Sequence, residues 1–169
     1  MNRDLEDIAH CLQNVGAGWG DVSDVVLTHA HPDHLGGLDD ILTRTTGVAV
    51  WAGEGESGVM VLGGEIQEAS DGQLIRGLRV IATPGHTQGH ISLFLEDEGV
   101  LFVGDTVGVM DGALVRPPAP FTADPAEAER SLRKIAGMSP GRMVFSHGAE
   151  LQDPGSRLKA LLNEPAGGW

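Results

Sequence analysis

Basic residues are scarce. The 169-residue chain carries 11 Lys and Arg against 24 Asp and Glu, a formal charge of -13, so nucleic-acid backbones and anionic lipid surfaces are repelled at long range. Cysteine is nearly absent: Cys11 stands alone, which excludes an intramolecular disulfide and any need for an oxidising compartment. Its neighbours Leu5, Ile8, Leu12 and Val15 have helical spacing, which predicts a packed or half-packed thiol instead of a catalytic one. No apolar run approaches the roughly 20 residues that a membrane-spanning helix needs, and the opening MNRDLEDIAH lacks the basic and then apolar order of a signal peptide. No glycine-rich piece is followed by Lys-Ser or Lys-Thr, so none is a phosphate loop. These absences predict a cytoplasmic chain with no nucleic-acid partner and no membrane partner.

What is present is a globular composition, 41% hydrophobic and 21% charged, too apolar for a disordered chain. The length suits one domain, residues 1–169. Periodicity predicts a helix over about residues 3–14, a strand over 22–28 buried on both faces, a helix over 35–45 and a strand over 48–51. Residues 53–64, rich in Gly and Glu, read as a surface loop. Apolar runs at 74–75, 78–82, 91–95 and 100–103, separated by turn residues, predict a β-meander. Asp124 as N-cap and Pro125 at the first helical position open a helix; a strand at 142–145 and a helix at 154–162 follow. Strands and helices alternating around a central meander predict a single α/β domain.

The chemistry lies where predicted strands end. His29-Ala30-His31-Pro32-Asp33-His34 places three imidazoles and a carboxylate within six residues after the first strand. Residues two apart in an extended segment point the same way, so His29 and His31 could grip one ion from one side. Asp33 and His34, beyond the turn at Pro32, could face a second ion, and Gly36 and Gly37 let the next helix start close by. A lone His-x-His would read as a solvent-exposed turn. Here His86, Asp105 and His147 each follow a separate predicted strand, and functional groups gather beyond strand ends in α/β sheets. Metal is the economical explanation, because imidazoles crowded together are costly without shared protons or an ion.

THAHPDHLGG, TPGHTQGHIS, LFVGDT and FSHG, spread over about residues 22–162, resemble the successive motifs of the metallo-β-lactamase superfamily of metal-dependent hydrolases. The resemblance implies an α/β fold of the αββα sandwich type. It implies that His29, His31 and His86 hold one metal, that Asp33, His34 and His147 hold the second, and that Asp105 bridges them. Two divalent ions are expected, zinc first, with iron and manganese as alternatives that imidazole and carboxylate ligands also suit. A metal-bridging hydroxide is then the nucleophile and Asp33 the proton shuttle, in the cleavage of a small-molecule ester, thioester, lactone or phosphodiester.

Departures from the family pattern narrow this. Asp105 resembles the ligand of the glyoxalase II and lactonase branches, where many true β-lactamases carry Cys. Flavodiiron-type members have Glu where this chain has His31. The chain contains no Tyr, which demotes a specialised acyl-homoserine lactonase. Two alternatives stand beside the dinuclear hydrolase: a mononuclear iron persulfide dioxygenase-like enzyme and a non-catalytic metal-binding protein. His90 belongs to the motif, but its place at a strand start predicts a supporting hydrogen bond. Ser92 and Ser146 adjoin histidines better used as ligands than in a serine triad. Arg116 either faces the cleft as an anion-binding group or lies on the surface. Family members usually begin with several strands, whereas here the first motif starts at Thr28; this shortened opening predicts an uncovered sheet edge and hence a homo-oligomer.

Overall fold

Side-chain alternation sorts the strands onto two facing sheets. The computed structural model describes residues 5–56 and 66–165. In it α1 (Glu6–Asn14) leads to β1 (Asp24–Val26), the single-turn helix α2 (Pro32–Leu35), α3 (Leu38–Arg44) and β2 (Ala49–Gly53). There follow β3 (Gln67–Ala69), β4 (Leu74–Ile75), β5 (Leu78–Ala82), β6 (Ile91–Leu95) and β7 (Val100–Phe102). A hairpin of β8 (Gly108–Met110) and β9 (Ala113–Val115), then α4 (Pro125–Gly137), β10 (Arg142–Val144) and α5 (Pro154–Asn163), complete the order. β1, β2 and β3 form one parallel sheet. The other runs β10-β7-β6-β5-β4, antiparallel except where β10 joins β7.

Successive residues of a strand face opposite sides. On β2, Val50 and Ala52 pack with Leu27 and Leu38, beneath α3, whereas Trp51 joins Val26, Val80 and Ile91 between the sheets. On β7, Leu101 packs with Leu132, Ile135 and Leu158 of α4 and α5, while Phe102 points to the intersheet layer. The layers are therefore helix, sheet, sheet, helix. Leu101, Leu132, Ile135 and Leu158 are at most 1% exposed, and burying each stabilises the fold by roughly 1.5–3 kcal/mol. No helix among the described residues is long and apolar enough to cross a membrane.

Several expectations are corrected. The helix expected over 35–45 is split at Gly36 and Gly37 into α2 and α3, because Pro32 starts a separate single turn directly after the His29–His31 segment. The first strand is shorter and only half-buried; among the described residues it pairs with β2 alone. Cys11 is exposed, since α1 has no buried residue and only Leu5, just before it, reaches the core. β3 and the β8–β9 hairpin were not anticipated. Of the loop expected at 53–64, residues 57–64 lie outside the described residues, and Gly53 ends β2.

Candidate metal centre

Four loops converge at one end of the facing sheets. The first leaves β1: the Ile91 amide donates to the Thr28 carbonyl at 2.9 Å, which ties it to β6 and sends His29 inward, fully buried. The His29 Nδ1 lies 3.2 Å from Thr28 Oγ1, leaving Nε2 to the centre. His31 follows in extended conformation, and its Nδ1 lies 2.9 Å from His86 Nε2. The loop carrying His86 is clamped by the start of α4, where the amides of Ala123 and Asp124 donate to the carbonyls of His86 and Gly85 at 3.1 and 2.8 Å. Gly85 has φ of 126° and lies so close to Ala128 of α4 that a side chain there would collide with the helix backbone.

Asp105 stands between the two groups of histidines. Its carboxylate lies 3.9 Å from His29 Nε2 and 3.4 Å from the Nε2 atoms of His34, His86 and His147. Asp33 Oδ2 approaches His34 and His147 at 3.5 and 3.4 Å. His147 is positioned by β8, whose Val109 amide donates to the His147 carbonyl at 2.9 Å. The potential donor atoms fall into three overlapping trios, each within 4.8 Å: His29, His31 and His86; His29, His34 and Asp105; Asp33, His34 and His147. All seven residues singled out by spacing and resemblance thus meet at one place. Burial differs across it: His29 and His86 are inside, whereas the side chains of Asp33 and His147 are 53% and 58% exposed.

The electrostatics suit a cation. Burial, joined by the neighbouring imidazoles, pushes His29 down to about 2 and His86 down to about 4, so both are neutral at pH 7 with a lone pair to offer. Burial tends to raise Asp105, but His34, His29 and His147 outweigh it and hold the carboxyl well below its usual range. His29 Nε2, His86 Nδ1 and Asp105 Oδ1 are buried with no hydrogen-bond partner. An unpaired buried polar atom costs roughly 1–3 kcal/mol; His86 faces the cluster through Nε2, and the two orphans that lie in it, His29 Nε2 and Asp105 Oδ1, are donor atoms of metal-binding type and fit a centre built around metal.

Supporting residues complete the centre. His90, buried, accepts the Asp105 N–H on Nε2 at 2.9 Å, and its Nδ1 lies 2.8 Å from Thr83 Oγ1; with Nε2 accepting, Nδ1–H donates to the threonine. Ser92 Oγ lies 3.1 Å from Thr83 Oγ1 and donates to the Val103 carbonyl at 3.1 Å. Sequence reasoning missed Glu56. Its buried carboxylate accepts the Ala30 amide at 3.0 Å, the Gly89 amide at 3.1 Å and the Thr87 hydroxyl, joining the His29–His31 turn to the His86 loop. Nothing in the spacing of Glu56 signals this, since its partners lie 26 to 33 positions away. Arg116 lines the cleft beside the centre, but its guanidinium is paired with Glu129 at 2.9 Å.

A family described as the metallo-beta-lactamase superfamily matches residues 1–147. Among curated relatives, the probable metallo-hydrolase YflN of Bacillus subtilis is 28% identical over 91% of this chain and 74% of its own length. A hydroxyacylglutathione hydrolase of Cereibacter sphaeroides is 32% identical over 86% of this chain; the chain spans 54% of that enzyme's length. The solved structure of TTHA1623 in a di-iron-bound form superposes with a TM-score of 0.72 at 21% identity, over 95% of this chain and 84% of that one, a likeness of fold.

Proposed function

The chain belongs to the metallo-beta-lactamase superfamily, and from its centre we propose that it is a dinuclear metal-dependent hydrolase of a small ester, thioester, lactone or phosphodiester. One observation carries the reading: seven His and Asp side chains from four loops converge, and two buried donor atoms within the cluster, His29 Nε2 and Asp105 Oδ1, lack partners. His29, His31 and His86 would hold one metal, Asp33, His34 and His147 the other, with Asp105 between them. The hydrolase names of the two relatives support the reaction class. The trio of Asp33, His34 and His147 offers a second set of donor atoms beside that of His29, His31 and His86, which favours two metals.

Divalent metals in such a site supply a nucleophile at neutral pH by lowering the pKa of water, and polarise the substrate oxygen. The chain's own residues do the rest. The buried, neutral imidazoles of His29 and His86 present lone pairs without first losing a proton. Asp105, ionised, supplies the negative charge that keeps a cation pair in the interior. Asp33 Oδ2, exposed to the cleft and 3.4 Å from His147 Nε2, is placed to take a proton and deliver it to the leaving group. Glu56 and His90 hold the loops still, so that these groups do not reorganise as charge develops.

Elemental analysis of the purified protein, paired with hydrolysis of a chromogenic ester and a chromogenic phosphodiester, tests the reading. Two equivalents of zinc, iron or manganese with turnover abolished by chelation are expected. A fully metallated sample inert to both substrates would overturn it in favour of a non-catalytic metal protein, and one equivalent of iron alone would favour the mononuclear oxygenase.

A further inference from the structure

Beside the centre opens a cleft of about 1170 Å³, reaching from Asp33, His86 and His147 along the β8–β9 hairpin to the end of α5. Away from the centre its wall is apolar: Val109, Met110, Leu114, Pro118, Phe121 and Leu161. Met110 and Phe121 are 62% and 64% exposed, large apolar side chains left in water at the rim of one cavity. Such a cluster marks a binding surface more often than scattered single exposures do.

Charge decides what kind of ligand fits. Among the described residues Arg116 is the one Lys or Arg lining this cleft, and its guanidinium is buried against Glu129 and the end of α5. Its Nε lies 2.9 Å from Glu129 Oε2, and one terminal nitrogen donates to the Leu161 carbonyl at 3.0 Å and reaches Glu129 Oε1 and the Glu164 carbonyl at 3.4 Å. The Arg116 side chain is 7% exposed. An anionic group in this arm of the cleft would meet apolar walls, the Glu164 side of the opening, and a buried guanidinium turned onto Glu129, which it shares with Arg133. Desolvating that anion would be poorly compensated.

We infer that this arm receives an uncharged, apolar chain, the non-reacting part of a substrate whose cleavable bond lies at the His and Asp cluster, and that the Glu129–Arg116 pair selects against chains ending in a carboxylate. What is cleaved rests on the hydrolase reading above; what is bound rests on the cleft alone. The cleft is roomy for a chain of several carbons, since small-molecule sites span roughly 300–1,000 Å³. The substrates indicated are esters or thioesters of medium-chain aliphatic or aryl acids.

Two readouts on the purified, metal-loaded full chain test this separately. In the first, octanamide and its carboxylate-ended counterpart, suberamate, are titrated into protein carrying methyl-labelled methionine while NMR follows the Met110 signal. Octanamide should shift it, and suberamate should bind at least about tenfold more weakly, the order of effect for an uncompensated buried charge. In the second, kcat/KM for para-nitrophenyl butyrate, hexanoate and octanoate should rise about threefold to fourfold per methylene, with the suberate monoester well below the octanoate.

Glu129→Gln should narrow the gap between octanoate and suberate, and Phe121→Ser, an exposed position, should flatten the chain-length series. Octanamide binding without turnover of either ester or phosphodiester would refute the hydrolase and leave the cleft assignment supported. Absence of octanamide binding, a flat chain-length series, or equal handling of neutral and carboxylate-ended chains would overturn the assignment even in an active hydrolase.

Discussion

The imidazole of His90 accepts the backbone N–H of Asp105 on Nε2 at 2.9 Å. The residue that sits among all the candidate ligands is therefore held through its main chain, which leaves both carboxylate oxygens free for the centre. Gly104 makes the approach possible: its φ is 55°, and a side chain there would run into the His90 ring.

Replacing His90 by Leu removes the acceptor for Asp105 N–H and the partner of Thr83 together. The Asp105 N–H is left unpaired while Thr83 keeps Ser92 at 3.1 Å, which predicts a loss of about 1–3 kcal/mol in urea denaturation. Metal affinity should fall about 10–100-fold, as for other residues that orient ligands. Unchanged metal affinity in a folded variant would show that Asp105 does not depend on this bond.

Glu56→Ala cuts the connection between the His29–His31 turn and the His86 loop. Three hydrogen bonds to one ionised, buried carboxylate are charge-assisted, so a loss of about 2–4 kcal/mol is expected. Glu56→Gln, which keeps one acceptor oxygen, should fall between Ala and wild type. Equal melting temperatures for all three proteins would count against the strap.

Asp105→Ala should reduce metal content at both sites at once, because Asp105 lies within 3.4–3.9 Å of histidines from both trios. Elemental analysis that still finds two equivalents would remove Asp105 from between the metals. The Asp124→Ala variant is the control for ordinary structure: Asp124 caps α4 by accepting the Glu127 amide at 3.0 Å, and its loss should cost about 1 kcal/mol without lowering metal content.

Acid should unfold the metal-free protein through its buried histidines. Burial lowers His29, His86 and His90 to about 2, 4 and 3, whereas in the unfolded chain each titrates near about 6.5. Between those values the unfolded state binds more protons, so stability is present above about pH 6.5 and is lost as pH falls toward 4. Each histidine contributes a slope of up to about 1.4 kcal/mol per pH unit. A urea midpoint that stays level from pH 7 to pH 5 in chelated protein would contradict this.

The candidate metal residues were legible because His29, His86, Asp105 and His147 each follow a strand and all seven match a known motif order. The meander from β4 to β7 was legible because its apolar runs are interrupted by turn residues; Asp124 with Pro125 likewise announced α4. β3 was not, since Gln67 and Glu68 are exposed and the strand exists through its pairing with β2. The β8–β9 hairpin did leave a trace, Asp111-Gly112 with both residues at positive φ, the pair that suits a tight hairpin turn. Its three-residue arms were too short to display alternation. Glu56 was invisible because its function depends on backbone amides, and any residue type supplies those. Arg116 was left between cleft and surface, and its true state, lining the cleft but buried against Glu129, depends on a residue that periodicity assigns merely to a helix.

The uneven burial of the centre gives it a front and a back. His29 and His86 sit behind the sheet ends, while Asp33 and His147 stand at the mouth, more than half exposed. On the two-metal reading proposed above, ions would enter and leave through the mouth, and the inner one would wait for the outer one to go. Chelation should then proceed in a fast and a slow phase. Where metal is scarce, the standing population would be a half-loaded protein that keeps its inner ion, primed to be switched on by the arrival of a single further one.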